Sequence, residues 1–519
     1  MASLPALLSL LVGFLSLSEE ILWVRVAGFA YHTLPPAFSF VLVFYLTGIA
    51  LGAGIGKRIC ARARDLYGAA TVVLSVAGVV DMSMPALIQG LMTPLDDQLL
   101  APALLVTATA AAKSALFPIV HHLGSVADGP RVGRSVSRIY FANIVGGTLG
   151  PLLTGFVALD HLSVDQCFAL SGVLCLAGSV VSLSRAAGRW RAAVPLVAGV
   201  ASCAIGAATI EAGPGVLGKF AAPGAGQRVS HFVANRHGVI HTVPTPGGDI
   251  VFGGNVYDGI AEVDVDANKN RLDRVYLAGL MHPGPRRVLF VGLATGAWVR
   301  CFQGFAGVER IDVVEINPGY LALIRTYPHL AGLLEDPRIH VYTDDGRRWL
   351  RRHPGERYDV IIQNTSHYWR ANADNLLSRD YLGEVARHLN PGGVVALNST
   401  ASVDVLATAQ AAFPFAYRYS NFVYASDQPL APDASRLRAV RRPDGAPFEE
   451  RAAAPGSVAT RLAAARLDAV PDFLARRKAD ARIITDDNLV TEYRDGLRFG
   501  PVLLQAFLPA PTPPFLDAW

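Results

Sequence analysis

Long apolar runs separated by short connectors fill this chain up to about Ile210. A helix needs roughly 20 apolar residues to cross the hydrocarbon layer of a bilayer. Runs of that kind lie near 4–23, 38–56, 69–91, 99–120, 141–159, 166–183 and 193–210, the third and seventh being the weakest. Seven such runs in succession require a helical bundle in lipid, because backbone polar groups there must be satisfied within each helix. Composition agrees. Hydrophobic residues make up 51%, charged residues 17%, and the mean hydropathy is +0.33, too apolar for an ordinary soluble protein.

The connectors after the second, fourth and sixth runs carry Lys57, Arg58, Arg62 and Arg64, then Arg131, Arg134 and Arg138, then Arg185, Arg189 and Arg191. The alternate connectors carry Asp96, Asp97, Asp160 and Asp165. Positive charge stays inside, so the expectation is a multi-pass protein of the cell membrane with a cytoplasmic amino terminus. The first residues lack a basic region and a small-residue cleavage site, which points away from a removable signal peptide. Gly48, Gly52 and Gly56 share one helix face, and Gly146 and Gly150 repeat the spacing. Close helix packing is the expected role. Glu19, Glu20 and Arg25 lie in or near a span. Charge there is expensive, so they sit at the interface or serve a function. The pair His121-His122 ends a span and reads as interfacial.

A net charge of +4 and the absence of a basic stripe with interleaved aromatics give no support to a nucleic-acid partner. Cys60, Cys167, Cys175, Cys203 and Cys301 are scattered, so neither a disulfide framework nor a metal site is expected. Residues 211–226, rich in Gly, Pro and Ala, read as a linker between a membrane domain at 1–210 and a soluble half. Residues 231–243 and 249–256 alternate in polarity around Pro244-Thr-Pro-Gly-Gly248, the pattern of a β-hairpin. A small β segment at 227–265 therefore precedes an α/β domain at 266–519.

The organising stretch of that domain is 287–316, RVLFVGLATGAWVRCFQGFAGVERIDVVEI. An apolar run suited to a buried parallel strand ends at Gly292. Gly296 closes a tight turn, a helical segment follows, and a second apolar run stops at Glu315. The glycines let a ligand approach the backbone, and the carboxylate can accept both hydroxyls of a ribose. An adenosine-type ligand is expected there, although Ala294 stands where a dinucleotide fingerprint has its second glycine. The rhythm continues. Residues 338–342 form a third strand ending at Asp344-Asp345-Gly346, and 358–362 a fourth ending at Gln363-Asn364. Ser378 caps a helix to Leu389, and Pro391-Gly-Gly393 turns into a fifth strand at 394–397. Polar groups thus gather where strands end, the crevice in which open α/β sheets bind ligands. Asp345 suits an adenine amino group, while Asp344 could equally cap the next helix.

HPGPRRVLFVGLATG, GVERIDVVEINP, DPRIHVYTDDGRRWL, YDVII and LNPGGVVAL together resemble the spermidine synthase family of aminopropyltransferases. The resemblance covers roughly 226–492. Ile484-Thr-Asp-Asp-Asn488 and the first span with Glu20-Ile-Leu-Trp23-Val-Arg25 resemble the membrane-fused branch of that family. It implies a Rossmann-like, methyltransferase-type fold and a place in polyamine biosynthesis. It also implies an adenosyl sulfonium, decarboxylated S-adenosylmethionine or S-adenosylmethionine, as donor co-substrate with no permanently bound cofactor. By that resemblance Glu315 takes the ribose hydroxyls, Asp345 the adenine, and Gly292 and Gly296 line the donor. A homodimer is a further open expectation.

The acceptor side departs from the family. The glycine turn reads Leu293-Ala-Thr295 where the family has an amine-facing aspartate. The run after the fourth strand reads Asn364-Thr365-Ser366-His367-Tyr368, with Asn364 at the place of the catalytic aspartate and His367 at the second acidic place. The family's tyrosine-containing acceptor motif is replaced by Ala267-Asn-Lys-Asn-Arg-Leu272. An asparagine cannot take a proton. In the rebuilt loop 367–375, His367 is the candidate base, the aromatic pair suits a cation, and Arg370 suits an anion. A packed aromatic lid without chemistry is the other reading. The expected function is therefore transfer of an aminopropyl or methyl group to an unidentified small-molecule acceptor. The alternative is a membrane transporter or sensor whose soluble domain binds an adenosyl ligand without turnover. Seven spans place the soluble domain outside and six place it inside, so the sequence leaves its side open.

Overall fold

A computed structural model of the protein describes residues 4–92, 99–127, 132–187, 193–209, 215–221, 228–364, 367–400, 402–448, 455–488 and 490–496. Asp96, Asp97, Arg131, Arg189, Arg191, Thr365 and Ser366 lie outside these residues, as do 211–214 and 222–226 of the linker and the chain from 497 on. The chain divides into two compact units, one built on residues 1–225 and the other on 237–500.

Among the described residues of the first unit, six helices are long and apolar enough to cross a membrane: Leu4–Ala30, Pro35–Arg62, Leu66–Leu91, Leu100–Ser125, Gly133–His161 and Val164–Leu183. The seventh expected span is a helix at Ala193–Thr209, 17 residues long. At 1.5 Å per residue these described residues reach about 25 Å, the low end of what crosses a bilayer. The linker is not structureless, because Gly215–Ala221 is helical. The glycine faces pack as expected. A Cβ on Gly52 would lie 2.4 Å from the Ala111 carbonyl oxygen, and one on Gly146 would lie 2.0 Å from that of Leu10. Glycine is what lets these backbones touch. Of the two readings left open for Glu19, the interfacial one fails. Rather than sitting at the interface, the side chain is fully buried in the bundle, where Lys113 pairs with both Glu19 and Asp81. An ammonium between two carboxylates compensates charge that lipid would otherwise penalise.

In the second unit, strands β1 (His231–Asn235), β2 (Gly238–Val243), β3 (Ile250–Gly253) and β4 (Val256–Ile260) form an antiparallel sheet in sequence order. The expected hairpin is β2–β3, with Val243 opposite Ile250. The expected first strand, 231–243, is broken into β1 and β2, and β4 is added after β3. The second turn, Gly254-Asn255, takes positive φ at both residues, the geometry that two-residue hairpin loops favour.

A larger sheet follows, with β5 (Arg287–Val291), β6 (Arg310–Glu315), β7 (Ile339–Thr343), β8 (Tyr358–Gln363), β9 (Leu389–Asn398), β10 (Phe415–Tyr419), β11 (Phe422–Ser426) and β12 (Asp468–Ala469). Its order is β12-β10-β11-β9-β8-β5-β6-β7. Strands β5 to β9 are parallel, and β10 to β12 extend the sheet in antiparallel fashion. Side chains alternate between two cores. Val288, Phe290, Ile311, Val313, Val360 and Ile362 face one, and Leu289, Val291, Val314 and Ile361 face the other. The helix capped by Ser378 ends at Arg387, because Leu389 already pairs with Tyr358 in the sheet. Chain order reverses between β5 and β8. That is the topological switch point, and ligands bind outside the carboxyl ends of strands there.

Candidate functional site

The turn after β5 carries positive φ at Gly292 (95°), Ala294 (46°) and Gly296 (75°). Ala294 therefore accepts the left-handed backbone that a glycine takes without strain, at a cost of order 1 kcal/mol. A Cβ on Gly296 would lie 2.6 Å from Leu333 Cδ2. Glu315, at the tip of β6, holds this turn in place. Its Oε2 accepts from the Leu293 amide and its Oε1 from the Asn317 amide, each at 2.8 Å. The side chain is 5% exposed. Burial pushes its carboxyl up to about 7, against the pull of those amide hydrogen bonds. Each carboxylate oxygen keeps acceptor capacity beyond one amide.

At the tip of β7 the cap falls to Asp345, not Asp344. Asp345 Oδ1 accepts from the Arg348 amide at 2.7 Å and starts the helix Gly346–Arg352. Asp344 pairs with Arg348 and Arg352. One oxygen of the expected adenine contact is thus engaged in the fold.

Beyond β8, Asn364 accepts from Asn398 Nδ2 at 3.1 Å. Asn398 in turn accepts from Asn421 Nδ2 at 3.2 Å and from the Thr400 amide at 2.8 Å. His367 is buried, with Nε2 3.2 Å from the Tyr257 carbonyl oxygen and its ring stacked on Trp369 at 5.2 Å. A carbonyl can only accept, so Nε2 carries the hydrogen and the lone pair is on Nδ1. Burial lowers the imidazole to about 4.

Asn364, His367 and Arg370 share one pocket with residues that sequence reasoning had not placed there: Asp258 and Gly259 of β4, then Asn270, Arg271 and Arg274, with Trp298, Asn398 and Asn421. The segment that replaces the family's acceptor motif, 267–272, thus lines the same pocket as the rebuilt loop. Asp258 receives the Tyr320 hydroxyl, and burial pushes its carboxyl up to about 6 although Tyr320 and Arg370 hold it down. A Cβ on Gly259 would lie 3.4 Å from Thr295 Cγ2, so the pocket adjoins the glycine turn. Asn398 ends a strand and could have been found by the rule that located Asn364. Asp258 had no such signal, because its strand belongs to the other sheet.

Residues 275–410 match the spermine/spermidine synthase domain. Over this stretch the chain is similar to the spermidine synthase family. Among similar proteins, the polyamine aminopropyltransferase of Mycobacterium tuberculosis is 26% identical over 379 residues, covering 70% of this chain and 71% of its own. That of Pectobacterium atrosepticum is 35% identical over 117 residues, 22% of this chain and 40% of its own. Putrescine N-methyltransferase 2 of Nicotiana attenuata is 33% identical over 114 residues, 22% of this chain and 30% of its own. The solved spermidine synthase of Thermotoga maritima aligns over 48% of this chain and 87% of its own, at 16% identity and a TM-score of 0.38.

Proposed function

We propose that the α/β unit transfers an aminopropyl or methyl group from an adenosyl sulfonium donor to a small-molecule acceptor. The observation that carries this reading is the Glu315 carboxylate at the tip of β6, tied to the glycine turn at the switch point. That is where a ribose would meet both a carboxylate and a closely approached backbone. Gly292 and Gly296 line the donor, and Asp345 offers its second oxygen to the adenine amino group. Relatives with aminopropyl and with methyl transfer in their names are consistent with either group.

In the reaction the acceptor nitrogen attacks the carbon beside the sulfonium. The C–N bond forms, the C–S bond breaks with its electron pair passing to sulfur, and the nitrogen sheds a proton. His367 is the base that the sequence suggests, but at about 4 it is weak. Against an alkylammonium near 10 the gap of roughly six units is about 8 kcal/mol uphill. His367 Nδ1 instead serves as a hydrogen-bond acceptor that orients the incoming N–H. Asp258, at about 6, is the stronger base in the pocket, and Asn364, held by Asn398, positions the acceptor. Mass spectrometry of the full-length protein with labelled donors tests the reading. Release of methylthioadenosine or S-adenosylhomocysteine is expected. Tight donor binding with no release of either would favour the second reading, a transporter or sensor. One observation favours that alternative, the Glu19–Lys113–Asp81 cluster buried in the bundle, since ionisable groups inside membranes often mark transport paths.

The site's chemistry also bears on topology. Six spans return the chain to the side on which it began, and Lys57, Arg58, Arg62, Arg134 and Arg138 put that side in the cytoplasm, where adenosyl sulfonium donors are made. A cytoplasm-only fluorescent reporter fused after Trp519 should therefore be bright. Alkaline phosphatase activity at the same position would mean that Ala193–Thr209 crosses as a seventh span and that the donor must be supplied from outside.

A further inference from the structure

We propose that the pocket beside Asn364 binds an anionic group, a carboxylate or phosphate carried by one of the two substrates. The proposal rests on the donor reading above. Three guanidinium groups, of Arg271, Arg274 and Arg370, line this pocket against the single carboxylate of Asp258. Among the described residues neither Arg271 nor Arg370 makes an ion pair or a side-chain hydrogen bond. Asp258 is engaged by the Tyr320 hydroxyl. Arg274 lies over the Phe422 ring, 5.6 Å from its centroid, with a 3.4 Å contact to Ser420 Oγ. Two half-buried guanidinium groups that share the one carboxylate of Asp258 carry a desolvation cost that a bound anion would offset. The fork of a guanidinium matches a carboxylate or phosphate through paired hydrogen bonds.

The neutral wall supports the same polarity. Asn364 stands where a polyamine-binding site needs negative charge, and its neighbours Asn398 and Asn421 are also uncharged. A diammonium acceptor would face an excess of positive charge here. Two sources of the anion fit the pocket. One is the α-carboxylate of S-adenosylmethionine, which its decarboxylated form lacks. The other is an acid group on the acceptor.

Matched ligand pairs decide between them. Calorimetry on the full-length, detergent-solubilised protein would compare S-adenosylmethionine with decarboxylated S-adenosylmethionine, and L-ornithine with putrescine. The second pair is run with and without saturating methylthioadenosine. In at least one pair the carboxylate-bearing member should bind tenfold or more tighter. Arg271→Gln and Arg370→Gln should each cut that preference severalfold, and Arg370→Lys, which keeps the charge and loses the fork, should fall between wild type and Arg370→Gln. Preference in the first pair assigns the anion to the donor, and preference in the second assigns it to the acceptor. Equal binding within both pairs overturns the proposal, as does a preference untouched by both glutamine variants. If a glutamine variant does not fold, the wild-type comparison decides alone. Absence of methylthioadenosine binding would count against the donor reading instead, and the ornithine–putrescine comparison without nucleoside would still settle the anion.

Discussion

Glu315→Ala should lower affinity for methylthioadenosine at least tenfold. The carboxylate would make charge-assisted hydrogen bonds to two ribose hydroxyls, each worth about 1.5–3 kcal/mol. The loss is compounded by the fold. The same two oxygens receive the Leu293 and Asn317 amides, and each buried amide left without an acceptor costs about 1–3 kcal/mol. A lower thermal midpoint should accompany the affinity loss, so the titration belongs at a temperature where circular dichroism shows the variant folded. The wild-type protein offers a test that needs no variant. Burial holds the Glu315 carboxyl at about 7, above its ordinary value of 4.5. Ribose hydroxyls donate more strongly to the carboxylate than to the acid, so binding should release a proton. Affinity should rise between about pH 6 and 7 and level off above. Stability runs the other way. A raised folded value means a contribution that is present below about 4.5 and lost as pH rises through about 7. Asp258 also titrates near 6, so calorimetry in buffers of different ionisation heat should be repeated on Asp258→Asn. A pH-independent affinity in both proteins would remove Glu315 from the ribose.

Strand ends make much of this site legible in the sequence. Runs such as Val288–Val291 and Ile311–Val314 are apolar on both faces because two cores cover the sheet, and that double burial is what a parallel strand leaves in a sequence. Glu315 and Asn364 each follow such a run, whereas Asp345 follows the partly exposed edge strand β7. Less is legible where one residue serves two ends. Sequence does not assign Asp345 between cap and ligand contact, since both need a carboxylate at the same place. The protonation of His367 is beyond sequence, because it depends on burial against Trp369 and on the Tyr257 carbonyl, 110 positions earlier in the chain. The same holds for Glu19. Its interior position follows from Lys113, 94 residues away, and no local pattern predicts that pairing. Arg274 is invisible as a pocket residue in the sequence, since it lies beyond the segment 267–272 that stands in for the acceptor motif and reaches the pocket only through the fold.

Putrescine aminopropylation is where these departures should have their largest effect. General acid–base catalysis contributes about 10²–10⁴-fold, and the asparagine at position 364 cannot supply it. The charge balance adds a second barrier. At ~6 Å and an effective dielectric near 20, one ammonium–guanidinium repulsion costs about 3 kcal/mol, and Arg271, Arg274 and Arg370 all line the pocket. The wild-type protein with decarboxylated S-adenosylmethionine and putrescine should therefore form spermidine at least a hundredfold more slowly than its polyamine-making relatives assayed alongside. Asn364→Asp alone should recover less than tenfold. The new carboxylate would lie near Arg370 and the Asn398 amide and would be drawn to them before it met an amine. Combining Asn364→Asp with Arg370→Gln should recover more than the sum of the single changes, because one supplies the negative charge and the other removes its competitor. Chromatographic detection of spermidine would read all four proteins. Robust spermidine formation by the wild type would mean that the pocket tolerates a diamine despite its three guanidinium groups. The acceptor reading and the charge argument behind it would then fall together.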